Sequence, residues 1–237
     1  MQRTPNPIIL ALDVPSRERA VQLASELSPF LGAVKIGSEL FTAAGPDIVR
    51  AIRGTGLSVF LDLKFHDIPN TVAKAVSAAT QLDVQMLTVH ASGGGAMMRA
   101  AEEAGQKSAR EAGRAAPLIL GVTILTSLDS NSIAEVGFEA NVGHQVERLA
   151  KLAVRSGLRG LVCSPLEVTM LRQFLPPEIQ LVTPGIRPPD AASDDQKRTL
   201  TPAEALEAGA NWLVIGRPIY GAPNPRRAAE HILESLV

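Results

Sequence analysis

Cysteine is almost absent from this sequence of 237 residues: Cys163 stands alone. A single thiol excludes an intramolecular disulfide framework and fits a reducing compartment. An excess of charge is missing too, with 23 Lys and Arg against 24 Asp and Glu for a formal net charge of -1. No basic field is available to hold a polyanion, which argues against nucleic acid as a partner, so any phosphate must be gripped by a local site. No apolar run approaches the ~20 residues of a membrane span. The polar segment Met1–Pro7 lacks the apolar stretch of a secretory signal. These absences lead us to expect a cytoplasmic α/β protein with neither a nucleic-acid nor a membrane partner.

What is present is alternation. Runs rich in Val, Ile and Leu occur at Ile8–Leu12, Ala33–Ile36, Ser58–Leu63, Val84–Val89, Leu118–Thr123, Gly160–Cys163, Gln180–Thr183 and Trp212–Ile215. Being nearly continuous in apolar residues, they fit parallel strands covered on both faces. Helical patterns lie between them. Ala20, Leu23, Ala24 and Leu27 repeat at i, i+3, i+4, i+7 after Ser16, a good N-cap. Ser164-Pro165-Leu166-Glu167 and Thr201-Pro202-Ala203-Glu204 each combine a capping hydroxyl, proline at N1 and glutamate at N3. A last helix opens at Asn224-Pro225 and should bury Ala229, Ile232, Leu233 and Leu236. Eight strand–helix units with no strand left over predict one (β/α)8 TIM barrel over residues 1–237, though an open doubly wound sheet shares the periodicity. The stretch Arg187–Leu200 is long, polar and rich in Asp, Pro and Ser; a lid and plain surface disorder both satisfy that composition.

Charged residues sit where the strands end. In a parallel barrel those C-terminal ends form the active-site face. There stand Asp13, Lys35, Asp62 and Lys64, with Asp67 just beyond, then His90, Thr123, Thr126, Ser127 and Gly216-Arg217. Side chains two apart on a strand share a face, so Asp62 and Lys64 should both point into the barrel mouth. A charge in an apolar strand is expensive unless it is paired or functional. Three carboxylates alone would invite a divalent metal, whereas two interleaved lysines neutralise them and fill the space of a cation. The cluster therefore reads as metal-free. A lysine among carboxylates keeps its proton, which makes Lys64 a poor Schiff-base nucleophile and a good proton donor.

The run D-L-K-F-H-D-I-P-N-T from Asp62 to Thr71 resembles the signature of the orotidine 5′-phosphate decarboxylase family, bacterial type. A bare D-x-K-x-x-D is shared with related phosphate-binding barrels; the full run is far more specific. The resemblance continues through A-L-D at Ala11–Asp13, V-K-I-G at Val34–Gly37, V-H-A-S-G-G at Val89–Gly94, L-T-S at Leu125–Ser127, T-P-G-I-R at Thr183–Arg187 and I-G-R-P-I at Ile215–Ile219. It implies decarboxylation of orotidine 5′-phosphate to UMP, the last step of de novo pyrimidine biosynthesis, without a cofactor. It also implies residue roles. Lys64 protonates C6, Asp62 lies beside the substrate carboxylate, and Asp13 and Lys35 hold the ribose hydroxyls. Asp67 and Thr71 reach the neighbouring site of a homodimer, and Thr126 and Ser127 contact the pyrimidine. Arg187, Gln196, Gly216 and Arg217 grip the phosphate.

Two other readings stand beside this one. A magnesium-dependent sugar-phosphate decarboxylase or aldolase of the same barrel lineage shares D-x-K-x-x-D, but an acidic residue would then be expected in place of Lys35. A non-catalytic nucleotide-binding barrel would need no buried proton donor. Elsewhere the expectations are bland. His66 carries no chemistry, His90 is a hydrogen-bonded barrel residue, Cys163 is a buried inert thiol, Trp212 is core, and Met97-Met98 is helix packing.

Overall fold

All eight apolar runs form strands in the computed structural model, which describes residues 6–188 and 199–236. They are β1 (Ile8–Ala11), β2 (Ala33–Gly37), β3 (Ser58–Phe65), β4 (Met86–His90), β5 (Leu118–Val122), β6 (Gly160–Val162), β7 (Gln180–Thr183) and β8 (Trp212–Ile215). Each pairs in parallel with the next, and β1 pairs with β8, closing an eight-stranded barrel in sequence order. The open sheet is excluded by that last pairing, in which Ile9 lies opposite Val214.

Burial explains why the runs are continuous and not alternating. Ile9, Ala11, Phe60, Met86, Leu120, Val182 and Val214 fill the barrel interior. Their neighbours Ile8, Leu10, Val59 and Leu61 face the other way, into the larger layer between strands and helices. Both faces are dry along most of the strand length, so most positions there are apolar, and each fully buried large aliphatic contributes roughly 1.5–3 kcal/mol. Trp212 packs on the interior cluster, and Met97 and Met98 are fully buried in the helix Gly95–Glu111.

The helices begin where their caps say. Ser16 Oγ accepts from the Arg19 N–H at 3.2 Å and opens Arg17–Leu27, whose Ala20, Leu23, Ala24 and Leu27 are buried. Thr201 opens Pro202–Glu207: Glu204 Oε2 accepts from the Thr201 N–H at 2.8 Å, and Thr201 Oγ1 accepts from the Glu204 N–H at 3.3 Å. Glu167 likewise accepts from the Ser164 N–H at 2.8 Å, but the turn it closes, Pro165–Glu167, is a 3-10 turn leading into the short helix Val168–Arg172. Asn224 caps Pro225–Glu234, which buries Ala229 and Ile232 and leaves Leu233 half-covered; Leu236, expected on this helix, lies past its end and is half-covered too. Among the described residues no helix is long and apolar enough to cross a membrane. Every crossover returns the chain to the same side of the barrel, so the C-terminal strand ends gather at one mouth.

Candidate active site

The mouth holds a cavity of about 280 Å³ lined by Asp13, Lys35, Asp62, Lys64, Arg187 and Arg217, among others. Four charged side chains form a chain across it. Lys35 Nζ lies 2.9 Å from Asp13 Oδ1 and 3.7 Å from Asp62 Oδ2. Lys64 Nζ lies 3.0 Å from both oxygens of Asp62. The side chains of Lys35 and Asp62 are each only 12% exposed, against 35% for Lys64 and 48% for Asp13. Partners this close offset one another's desolvation; they are not by themselves a source of stability. Gly37, at the end of β2, keeps the crossing open: a Cβ there would stand 3.1 Å from Lys35 Nζ and 3.3 Å from Asp13 Oδ1.

Simple strand alternation is not what turns Lys64 inward. Leu61 pairs with Leu87 and Phe65 with Val89, so β3 places Asp62, Leu63 and Lys64 where β4 has only Thr88. The surplus is taken up as a bulge, and Lys64 adopts φ 50°, the left-handed region that side chains with a Cβ rarely enter. Such a conformation costs on the order of 1–3 kcal/mol and persists only when its surroundings hold it. Here the Lys64 N–H donates to Thr88 Oγ1 at 2.8 Å, and Thr88 Oγ1 donates to Asp62 Oδ1 at 3.0 Å.

Asp67 stands apart from this network. It is exposed on the loop after β3, and its Oδ1 accepts from the Ile68 N–H at 2.6 Å. Thr71 is exposed in the first turn of the helix Pro69–Thr80. The five-membered network expected from sequence is thus four-membered within one chain. Thr126 and Ser127 line the cavity on the loop after β5, and Gly216 lines it opposite them. A Cβ on Gly216 would press on the Tyr220 ring at 3.3 Å and Ala11 at 3.4 Å. Arg187 follows β7, and its Nη1 donates to Ile186 O at 2.9 Å. Gln196 lies outside the described residues.

Some lining residues carry no signal in the sequence. Tyr220 borders the cavity, and burial, followed by the nearby Asp13 charge, pushes its phenol above the usual range. Phe60, Val122, Val162 and Val214 form an apolar floor beneath the charges. Phe60 shares its inward face with Asp62, and Val214 is two residues from Gly216, a register that alternation could have exposed. His90 ends β4 with its ring 5.4 Å from that of His66. Burial, then the charges of His66 and Lys64, holds His90 below the ordinary imidazole value, with Asp62 pulling the other way. Cys163 is a buried thiol.

Comparison with known proteins agrees with this fold. Residues 6–232 match the family described as Orotidine 5′-phosphate decarboxylase / HUMPS family. The orotidine 5′-phosphate decarboxylase of Opitutus terrae is 54% identical over 229 residues, 97% of each chain. That of Pseudomonas syringae pv. tomato is 50% identical over 236 residues, 100% of each chain. The crystal structure of orotidine 5′-phosphate decarboxylase from Lactobacillus acidophilus superposes with a TM-score of 0.87 at 38% identity, covering 98% of this chain and 99% of that one. With a match of that extent and identity along its length, the chain belongs to the orotidine 5′-phosphate decarboxylase / HUMPS family.

Proposed function

We propose that this protein decarboxylates orotidine 5′-phosphate to UMP, in the cytoplasm, as a homodimer and without metal or cofactor. The observation that carries the reading is the placement of Lys64 Nζ at 3.0 Å from both Asp62 oxygens, at the mouth of a cavity with an apolar floor. The bond from C6 to the carboxylate carbon breaks, carbon dioxide leaves, and the electron pair stays on C6. That carbanion has no cofactor sink, so an ammonium fixed beside it must stabilise the charge and then give it a proton. Lys64 supplies both, and solvent reprotonates its amine afterwards.

Asp62 adds repulsion. Two carboxylates ~4 Å apart oppose each other by about 4 kcal/mol at an effective dielectric of about 20. Large enzymatic accelerations correspond to as much as ~23 kcal/mol, so repulsion is a minor share. The remainder comes from electrostatic stabilisation and from binding energy remote from C6. Arg187, Gln196, Gly216 and Arg217 are assigned to the phosphate, Asp13 and Lys35 to the ribose hydroxyls, and Thr126 and Ser127 to the pyrimidine. Asp67 and Thr71 are assigned to the neighbouring subunit's site, in keeping with their exposure. Lys35 and Lys64 crowd the Asp62 carboxylate from two sides, which supports a site that works without a divalent ion.

Incubation with orotidine 5′-phosphate should bleach the orotate absorbance at an undiminished rate in EDTA. Absence of turnover at high enzyme concentration would overturn the reading, and complete loss of turnover in EDTA would favour the magnesium-dependent chemistry. Lys64→Ala should abolish product while UMP binding stays measurable; unaffected turnover would remove Lys64 from the reaction.

A further inference from the structure

β4 carries a buried hydroxyl that the proposed chemistry does not use. Thr88 is 0% exposed and sits in the otherwise apolar run Met86-Leu87-Thr88-Val89. A hydroxyl there is unfavourable unless its hydrogen-bonding capacity is met. It is met twice, and both times by the reacting pair: Thr88 Oγ1 accepts from the Lys64 N–H at 2.8 Å and donates to Asp62 Oδ1 at 3.0 Å. The directions are fixed, since a backbone N–H only donates and a carboxylate only accepts.

The strand register explains why a side chain is needed. Across the bulge β3 has three residues and β4 has one, so the Lys64 N–H faces the Thr88 side chain in place of a ladder carbonyl. Lys64 meanwhile holds a left-handed backbone, a conformation that relaxes unless something fixes it. The same oxygen also sets the rotation of the Asp62 carboxylate, which is what lets Lys64 Nζ meet both of its oxygens equally.

We propose that Thr88 is a positioning residue: one hydroxyl locks the Lys64 backbone in the conformation that aims its ammonium inward and locks the Asp62 carboxylate to receive it. This rests on the reading of Lys64 as the proton donor. Valine has threonine's shape without the hydroxyl, and serine has the hydroxyl without the methyl.

Thr88→Val should lower kcat for orotidine 5′-phosphate by about ten- to a hundredfold with KM changed by less than about threefold, the scale of a misplaced reacting group. Thr88→Ser should keep kcat within about threefold of the unmodified enzyme, because the hydroxyl is retained. The pair Thr88→Ala and Thr88→Ser, which differ only in a hydroxyl, carries the same comparison if the valine variant does not fold. A second readout needs no substrate. Deuterium exchange at the Lys64 amide should quicken in Thr88→Val and Thr88→Ala and stay near the unmodified rate in Thr88→Ser. If the protein does not turn over orotidine 5′-phosphate at all, this exchange still reports on Thr88, so failure of the proposed function and failure of this inference are separable. A Thr88→Val enzyme with undiminished kcat, a Thr88→Ser enzyme as impaired as Thr88→Val, or Lys64 exchange indifferent to the hydroxyl would each overturn it.

Discussion

His90 sits at the end of β4, its ring against His66 and with the charges of Lys64 and Asp62 acting on it. Burial and the neighbouring positive groups make the folded protein reluctant to protonate it, whereas the unfolded chain takes the proton at the ordinary value of 6.5. Below that value the unfolded state binds more protons, so stability falls as the pH drops toward the depressed folded value and levels off beneath it. The melting temperature should therefore decline as the pH falls below about 6.5, and His90→Gln should flatten the decline. An identical slope in the variant would remove His90 as its cause. At this scale the sequence was a good guide to charge and a poor one to hydroxyls. Asp62 and Lys64 announce themselves because a carboxylate and an ammonium in an apolar strand need a reason. Thr88 and Tyr220 do not, since threonine is a normal strand residue and a lone tyrosine is a normal core one.

At the scale of elements, caps were legible and the bulge was not. Ser16, Thr201 and Asn224 are each read from local spacing and each makes its bond. The bulge in β3 arises from register against β4, a relation between distant segments that no local pattern encodes. Alternation still put Lys64 on the side of Asp62, by a different route from the one the backbone takes. The Thr201 cap also stands where the long polar segment rejoins the barrel. Ile186 bridges to Leu200 there, and the Arg187 N–H donates to Leu200 O at 2.9 Å, so the described ends of that segment meet at a neck. Thr201→Ala should cost about 1 kcal/mol of stability, typical of a lost N-cap, and lower the melting temperature by about 2–4 °C for a chain of this size. A melting point unchanged within error would mean that the Glu204 carboxylate caps the helix without the hydroxyl.

For the whole molecule, eight alternations point to a barrel, but closure depended on β1 meeting β8, which periodicity cannot report. The proposed homodimer is similarly beyond a local pattern. Asp67 and Thr71 are exposed beside Ile68, an apolar side chain left 65% exposed, and so are free to meet a second copy in the proposed homodimer. If Asp67 completes the neighbour's site, Lys64→Ala and Asp67→Ala subunits are each inactive alone. In a hybrid, however, one site holds both wild-type residues. Random mixing of the two should restore about a quarter of full activity, by the statistics of a symmetric dimer. No restoration, in mixtures shown to exchange subunits, would confine Asp67 to its own subunit.

The mismatch between β3 and β4 sets this protein's function against its own durability. Reducing Asp62, Leu63 and Lys64 to a single residue opposite Thr88 would give an unbroken ladder there, without the left-handed residue at the bulge, a better sheet by the rules of strand pairing. It would also delete at least one of Asp62 and Lys64. Selection for heat resistance alone would favour that repair, so thermostable variants gained at these positions should be screened for turnover before they are kept.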